Sequence, residues 1–291
     1  MTSAIISMSG VFKSFGSHSV LGPLDWSIFP GQVVGLLGRN GAGKSTLIEC
    51  LLGLRETDGG QVTIFGEDVA NLSESARARI GYVPQKSELF EWLTPHQMLA
   101  YFKALYPRWN DAKVSRLLAR WGFDAGKCAR PISNLSGGEK QRLSIIRALG
   151  HDPELLILDE PVSALDPVGR REFLRELVDG VIERNTTVVF STHILSDLER
   201  VALDVAFLAN GCIVMQGGLD DLLEGARRVV GPAALLDPLV VGGEIRRKAG
   251  VAGTEIITCS ASPELRALAA VEPALRLEKL TLEDLFIELT Q

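Results

Sequence analysis

The sequence predicts an α/β fold with a mostly parallel sheet, an antiparallel β subdomain, a helical insertion and a small C-terminal α+β appendage. Three observations support this class. A short apolar run leads into a glycine-rich loop and then a helical pattern at residues 32–54. Residues 87–134 carry mainly helical periodicity. After Leu155, short apolar runs alternate with amphipathic stretches, which is typical of parallel strands joined by helices.

The first region contains short β patterns separated by turn residues, up to about residue 65. Pro30–Gly31 lies between LDWSIF and QVVGLLG, and this spacing predicts a hairpin between the two runs. The second run enters the loop GRNGAGKST, and STLIECLLGL continues as a helix. We therefore expect a strand, a loop and a helix in direct succession.

The second region is predicted to be an all-helical insertion at about residues 86–134. In DAKVSRLLARW, the apolar residues follow the i, i+3, i+4, i+7 spacing of a buried helix face; they are Val114, Leu117, Leu118 and Trp121. Thr94–Pro95 is a typical helix start, because proline suits the first helical position.

The remaining chain returns to alternating strands and helices. LLILDEP and TTVVFSTH are predicted buried strands, and a hairpin is expected to turn at Asn210–Gly211. From about Leu219 the composition shifts toward Gly, Ala and Leu, and the last helix pattern begins with a capping box at Thr281 and Asp284. These changes predict two domains, residues 1–220 and residues 221–291.

Bulk composition narrows the class of protein. The 291 residues are 46% hydrophobic, which is ample for a core, and the net charge of −6 gives no general electrostatic basis for binding nucleic acid. The four cysteines lie far apart, so neither zinc nor a disulfide framework is expected. No signal peptide and no apolar run of about 20 residues is found. We expect a cytoplasmic protein.

GRNGAGKST matches the pattern G-x-x-x-x-G-K-[ST] in the context that this pattern requires, after a strand and before a helix. Glycines let backbone N–H groups close around phosphates. Lys44 would place a positive charge on the outer phosphates, Ser45 would offer a hydroxyl to Mg²⁺, and Thr46 would add a phosphate contact. An ordinary glycine turn is the alternative. The other expected binding residues of this loop are Gly38, Asn40, Gly41, Ala42 and Gly43.

Polar residues follow three predicted strands, at the sheet edge where α/β proteins bind ligands. LLILDE ends in Asp159, a candidate Mg²⁺ ligand, and Glu160, a candidate to orient the attacking water. Gln85 follows YVP and could reach the metal or the water, and His193 could donate to the terminal phosphate. The alternatives are a surface acidic pair, a solvated loop glutamine and an unrelated histidine.

Phe15 lies in an early β segment and is a candidate to stack on a nucleobase. Phe12 is an alternative stacking residue. A role of Phe15 in the core is the third possibility, because phenylalanine is most often buried.

The stretch LSGGEKQR places a serine and two glycines before a helical pattern, which predicts a second anion site. Together with GRNGAGKST, YVPQ, LLILDEP, SALD and STH, in this order over about residues 4–220, it closely resembles the ATPase subunit of ATP-binding cassette (ABC) transporters. The resemblance implies a P-loop NTPase core that binds ATP and Mg²⁺ and hydrolyses ATP. It also implies functional roles for the residues named above, with Gln85 serving both the metal and the water.

The family resemblance explains the second anion site. In this family two ATPase domains dimerise head to tail, and each ATP lies between the glycine loop of one chain and the LSGG signature of the other. Ser136, Gly137 and Gly138 would therefore contact the γ-phosphate held by Lys44 of a second chain. Asp166 of SALD would lie along that interface. A homodimer is the simplest assembly, and a heterodimer stays open.

The family also implies a partner, a separately encoded multi-span membrane permease, and a place on the inner face of the cell membrane. Phe90 and Trp92 could anchor the permease or belong to the core. YFKALYPRWN, STHILSDLERVA and TLEDLFIELT resemble ATPases of bacterial exporters of drugs, antibiotics or bacteriocins. An importer ATPase, and an ATPase acting on ribosomes or DNA, are the alternatives. No binding to nucleic acid is expected.

Overall fold

A computed structural model of the chain describes residues 3–180, 185–250 and 253–290, with three sheets and twelve α-helices in those ranges. The strands are β1 (Ile6–Phe15), β2 (His18–Ile28), β3 (Val33–Leu37), β4 (Gly59–Ile64), β5 (Glu67–Asp68), β6 (Ile80–Val83), β7 (Leu155–Asp159), β8 (Thr187–Thr192), β9 (Asp204–Ala209), β10 (Cys212–Gly218), β11 (Arg227–Gly231), β12 (Glu244–Gly250), β13 (Gly253–Thr258) and β14 (Arg276–Lys279).

The α-helices are α1 (Lys44–Leu51), α2 (Glu74–Arg77), α3 (Pro95–Leu105), α4 (Asp111–Arg120), α5 (Ala125–Cys128), α6 (Gly137–Leu149), α7 (Pro167–Gly180), α8 (Leu195–Leu198), α9 (Leu219–Gly225), α10 (Ala233–Leu236), α11 (Pro263–Val271) and α12 (Leu282–Leu289). Short 3₁₀ turns lie at Val69–Asn71 and Ile132–Asn134. No helix in the described part of the chain combines the length and the apolar character needed to cross a membrane.

The largest sheet has six strands in the order β10-β9-β3-β8-β7-β6. All its neighbouring strands are parallel except β9 and β10, which form the predicted hairpin. Asn210 and Gly211 turn this hairpin with φ values of 49° and 74°, which asparagine and glycine tolerate best. Strands β3, β7 and β8 are buried along their whole length. The predicted α/β class is confirmed.

The predicted hairpin at Pro30–Gly31 is wrong. Strand β2 pairs with β1 in a separate antiparallel sheet of order β2-β1-β4-β5, whereas β3 lies between β8 and β9 in the parallel sheet. The difference in pattern explains this: β2 alternates buried and exposed positions near its end, while every residue of β3 is buried. A strand of the second kind needs neighbours on both sides and layers on both faces.

Helices occupy most of the chain between β6 and β7. Thr94 caps α3 with a capping box, and proline takes the first helical position, as the sequence predicted. The apolar face of α4 is buried as expected, at Val114, Leu117 and Leu118, and Trp121 follows it into the core. Their spacing of three and four residues places these side chains on one face of the helix.

The C-terminal part forms a third sheet of order β12-β13-β11-β14 with α10, α11 and α12. Its last helix starts at the predicted Thr281–Asp284 capping box. Leu282 and Leu285 of α12 belong to the same apolar core as Phe207 of β9, so this helix packs directly on the large sheet. The division into residues 1–220 and 221–291 stays a prediction.

Candidate functional site

The glycine-rich loop joins β3 to α1 and leaves the N-terminus of α1 open. Gly43 occupies the N-cap position with φ of 100°, and no side chain caps the helix. Gly41 has φ of 83°, and a Cβ on Gly38 would lie 2.7 Å from the carbonyl oxygen of Leu208. The first N–H groups of α1 therefore face a cavity of about 310 Å³. Its lining residues are Val20, Asn40, Gly41, Gly43, Lys44, Ser45, Thr46, Gln85 and Glu160.

Lys44 begins α1 and is only 6% exposed. Its Nζ donates to the carbonyl oxygens of Gly38 at 2.8 Å and Arg39 at 3.2 Å, and lies 3.6 Å from Glu160 Oε1. Burial lowers the pKa of Lys44 from its ordinary value, while the carboxylates of Glu160 and Asp159 act in the opposite direction. The ammonium thus sits in the loop with a preset orientation and little water around it.

The two acids at the end of β7 are held by a serine of β8. Asp159 and Glu160 are 2% and 8% exposed. Ser191 Oγ donates to Asp159 Oδ1 and accepts the backbone N–H of Glu160 at 2.9 Å. Glu160 has φ of 46°, outside the region that most non-glycine residues adopt. Sequence reasoning missed Ser191, although it lies within the quoted STH motif.

Glu160 is contacted from two further elements. Gln85 Nε2 donates to Glu160 Oε2 at 3.4 Å, and His193 Nδ1 lies 3.4 Å from the same oxygen. Lys44 contacts the other carboxylate oxygen. The structure therefore brings three predicted residues, Lys44, Gln85 and His193, to the carboxylate of a fourth, Glu160, at the carboxyl edge of the parallel sheet.

The predicted magnesium ligands supply oxygen donors only: the hydroxyl of Ser45, the amide oxygen of Gln85 and the carboxylate of Asp159. Ser45 and Gln85 line the same cavity, and Asp159 directly precedes Glu160. Mg²⁺ prefers oxygen ligands and is commonly held by one or two carboxylates together with substrate phosphates. This donor set fits a Mg²⁺ ion bound jointly with a nucleotide. In the described ranges, no group of three or more His, Cys, Asp or Glu residues could hold a metal on its own.

Phe15 is 45% exposed, so it is not a core residue. The guanidinium of Arg55 lies 5.0 Å from its ring centroid and the ammonium of Lys13 lies 5.8 Å from it. Phe12 is 38% exposed, and its ring covers the space that a side chain at Gly59 would need. Phe15 is therefore slightly the more exposed of the two rings, and neither lines the 310 Å³ cavity.

The LSGG signature lies apart from this cavity. Ser136 is the N-cap of α6, followed by Gly137 and Gly138, and none of the three lines the cavity beside Lys44. Glu139 closes a capping box with Ser136. The predicted phosphate-binding residues therefore form two groups in one chain, and only the glycine-loop group shares a cavity with Glu160.

The segment that contains Asp166 lies beside the signature. The carbonyl oxygen of Ala164, two residues before Asp166, would lie 3.1 Å from a Cβ on Gly138. The Asp166 side chain is 66% exposed and accepts the backbone N–H of Gly169 at the start of α7.

The two aromatic residues predicted as permease anchors differ in exposure. Phe90 packs partly against the core, whereas Trp92 is 75% exposed. Their ring centroids lie 5.4 Å apart.

Comparison with known proteins gives consistent matches. The family model described as "ABC transporter" matches residues 21–163. The "Nod factor export ATP-binding protein I" of Bradyrhizobium diazoefficiens is 36% identical over 227 residues, covering 77% of this chain and 74% of the relative. The protein of the same name from Burkholderia orbicola is 32% identical over 304 aligned positions, covering 100% of this chain and 98% of the relative. A solved structure titled "Structure of ATP binding subunit of ABC transporter" is 29% identical with a TM-score of 0.68, covering 76% of this chain and 92% of that one.

Proposed function

The chain belongs to the ABC transporter family as an ATP-binding, ATP-hydrolysing subunit, and on that premise we propose which residues act, how two chains assemble and what they power. The single observation that carries the proposal is the convergence on Glu160. Lys44 contacts one oxygen of this carboxylate, and Gln85 and His193 contact the other. The glycine-rich loop and the carboxylate of Glu160 thus line one cavity.

Binding of ATP is assigned to the glycine loop. The open N–H groups at the start of α1 and the Lys44 ammonium hold the outer phosphates, because a helix N-terminus and a buried cation both favour negative charge. Lys44 already has its place through the carbonyls of Gly38 and Arg39, so little reorganisation is needed when phosphate replaces Glu160 as its anionic neighbour. Phe15 offers an exposed ring on which the adenine stacks.

Hydrolysis is assigned to Glu160. Its carboxylate lies beside the loop and orients and polarises the attacking water, while His193 and Gln85 fix its second oxygen. Ser45, Gln85 and Asp159 would hold Mg²⁺, which supplies charge compensation for the phosphates when bound. Ser191 keeps Asp159 and Glu160 in place from the neighbouring strand.

Dimerisation around ATP is proposed from the separation of the two phosphate sites. Ser136 and the following glycines begin a helix and do not line the cavity of their own chain. In a two-fold assembly each chain would give its signature to the other chain's nucleotide, so both sites would be completed at once. The exposed Asp166 would then lie between the two chains.

The work powered by ATP is proposed to be export through a separately encoded multi-span permease, which would hold this chain at the inner face of the membrane. The names of two relatives, which describe export ATP-binding proteins, support this direction. The cargo class is a drug, antibiotic or other hydrophobic or peptide compound. Trp92 would be a permease anchor, because a large aromatic side chain that is 75% exposed is common at interfaces. Copurification of the tagged chain with a multi-span protein from solubilised cells tests this partner.

Substitution Glu160→Gln tests the catalytic assignment. It keeps the size of the side chain but removes its charge, so ATP turnover should fall by about 10²- to 10⁴-fold. Nucleotide binding should persist, because Lys44 and the loop are unchanged. The exposed Glu283 of α12 provides a control: Glu283→Gln should leave turnover unaltered. Normal turnover in Glu160→Gln would exclude Glu160 as the residue that activates water.

A further inference from the structure

The N-terminus of α6 already holds an anion from its own chain. Glu139 Oε2 accepts the backbone N–H of Ser136 at 2.8 Å and the Ser136 hydroxyl at 3.0 Å. The Ser136 oxygen in turn accepts the N–H of Glu139 at 3.3 Å. Because a serine hydroxyl has one proton to donate, Ser136 cannot serve Glu139 and a phosphate fully at the same time.

A lysine from another helix compensates the charge of this carboxylate. Lys127 Nζ of α5 lies 2.8 Å from Glu139 Oε1, the oxygen that Ser136 does not use. Hydrogen bonding to Lys127, and then to the Ser136 N–H, lowers the pKa of Glu139 to about 2, so this residue is ionised at any physiological pH. The side chains of Lys127 and Glu139 are 30% and 26% exposed, which leaves the pair at the surface.

The backbone N–H groups of Gly137 and Gly138, beside the Lys127–Glu139 pair, have no acceptor within the helix. Gly137 and Gly138 are the first residues of α6, and the first N–H groups of a helix have no partner within it. A Cβ on Gly137 would meet no heavy atom within 4 Å, so the space beside this residue is open, whereas a Cβ on Gly138 would lie 3.1 Å from the carbonyl oxygen of Ala164. A phosphate that arrives here meets the two helix-start N–H groups, a serine already hydrogen-bonded to Glu139, and the carboxylate of Glu139 itself.

We propose that Lys127 is a positioning residue of the signature site, which pairs with Glu139 so that the γ-phosphate of the partner's ATP is not repelled there. On docking, the phosphate takes the Ser136 hydroxyl from Glu139, and Glu139 keeps Lys127 as its counter-ion. This inference rests on the proposed shared site and adds a residue outside the signature to it. Without Lys127, two like charges would face each other across the interface.

The test uses ATP-driven dimerisation in the Glu160→Gln background, where bound ATP is retained. Lys127→Ala should raise the apparent dimer dissociation constant by about tenfold, since an uncompensated charge then opposes the phosphate. Lys127→Ala combined with Glu139→Gln should return it to within about twofold of the background, because removing the second charge removes the repulsion. Light scattering at a series of protein concentrations in saturating ATP measures both constants.

Three controls separate charge compensation from a structural effect. Lys127→Arg keeps the charge and should dimerise like the background. Lys103→Ala breaks another surface ion pair, with Asp111 at 2.6 Å, and should change nothing. Binding of a fluorescent ATP analogue to the monomer should be the same in all variants, because neither Lys127 nor Glu139 lines the cavity beside Lys44.

Two results would overturn the inference: normal dimerisation of Lys127→Ala, or failure of Glu139→Gln to rescue it. Both leave the shared site standing, because the background protein still dimerises in ATP. If the background protein stays monomeric at every ATP concentration, the proposed shared site fails and this inference fails with it.

Discussion

The two helices that begin at the proposed phosphate sites differ in how their N-termini are capped. Helix α1 has no side-chain cap, and Gly43 precedes it in the left-handed region with φ of 100°. Helix α6 has a complete capping box, in which Ser136 and Glu139 satisfy each other's backbone N–H groups. The first N–H groups of α1 are therefore available to a ligand, whereas in α6 part of the N-terminal N–H groups is already hydrogen-bonded within the chain.

This difference indicates which site acts first. The first N–H groups of α1 have no side-chain acceptor, whereas Lys44 beside them is held by two carbonyl oxygens and Glu160. The N-terminus of α1 is thus open to an anion in the single chain, as the proposed nucleotide site requires. The capped N-terminus of α6 is stable without a ligand, and a phosphate must compete with Glu139 for the Ser136 hydroxyl. Binding of ATP before dimerisation is the order that this arrangement favours.

Among the variants that test this difference between the helix starts, Lys44→Ala is expected to have the largest effect. Lys44→Ala removes the only side-chain cation among the cavity-lining residues and should weaken ATP affinity by about 10- to 100-fold, the loss expected for a hydrogen bond to a charged group. Titration with a fluorescent nucleotide measures it. The exposed Lys248 of β12 is the control, and Lys248→Ala should bind normally. Unchanged ATP affinity in Lys44→Ala would show that the start of α1 does not bind the nucleotide through Lys44.

Ser191 tests whether the acids depend on their neighbouring strand. Ser191→Ala leaves the N–H of Glu160 without its acceptor in a fully buried position, so the free energy of unfolding should fall by about 1–3 kcal/mol. Turnover should fall as well, because Asp159 and Glu160 lose their common hydrogen-bond partner. Ser163 is a matched control, since its exposed hydroxyl donates to the carbonyl of Glu160 at 2.9 Å. A loss in Ser163→Ala equal to that in Ser191→Ala would contradict this role.

Alanine substitutions at the two helix starts should differ in sign or size. Gly43→Ala forces a side chain into a left-handed conformation with Leu21 and Val20 only 3.1 Å away, and should cost about 1–2 kcal/mol of unfolding free energy. Gly137→Ala enters open space at a helical position and should change it by no more than about 0.5 kcal/mol. Urea denaturation of the two variants compares them directly. Equal losses would show that the two N-termini are under the same constraint.

Several elements of the fold can be predicted from local sequence. The helix starts at Thr94 and Thr281 and the turn at Asn210–Gly211 depend on neighbouring residues, and all three are where the sequence placed them. The hairpin at Pro30–Gly31 was wrong because the same turn chemistry also suits a crossing between two sheets. Only the neighbours of β3, which come from 150 or more residues later in the chain, decide between these outcomes.

The site shows the same limit. Motif spacing identified Lys44 and Glu160, and the structure places their side chains 3.6 Å apart. The support of Ser191 for Asp159 joins residues on two strands, which no local pattern reveals. The capping box of Ser136 and Glu139 was within reach, because S-x-x-E before a helix is its known signal.

In the proposed assembly, each ATP is shared between Lys44 of one chain and Ser136 of another. Mixing a Lys44→Ala chain with a Ser136→Arg chain tests it most directly, because each protein alone would form dimers with two defective sites. A mixed dimer would contain one intact site, so ATPase activity should reappear on mixing, at about a quarter of the wild-type level for random pairing. If the mixture stays as inactive as its two components, the chains do not complete each other's ATP sites, and the proposed shared site is excluded.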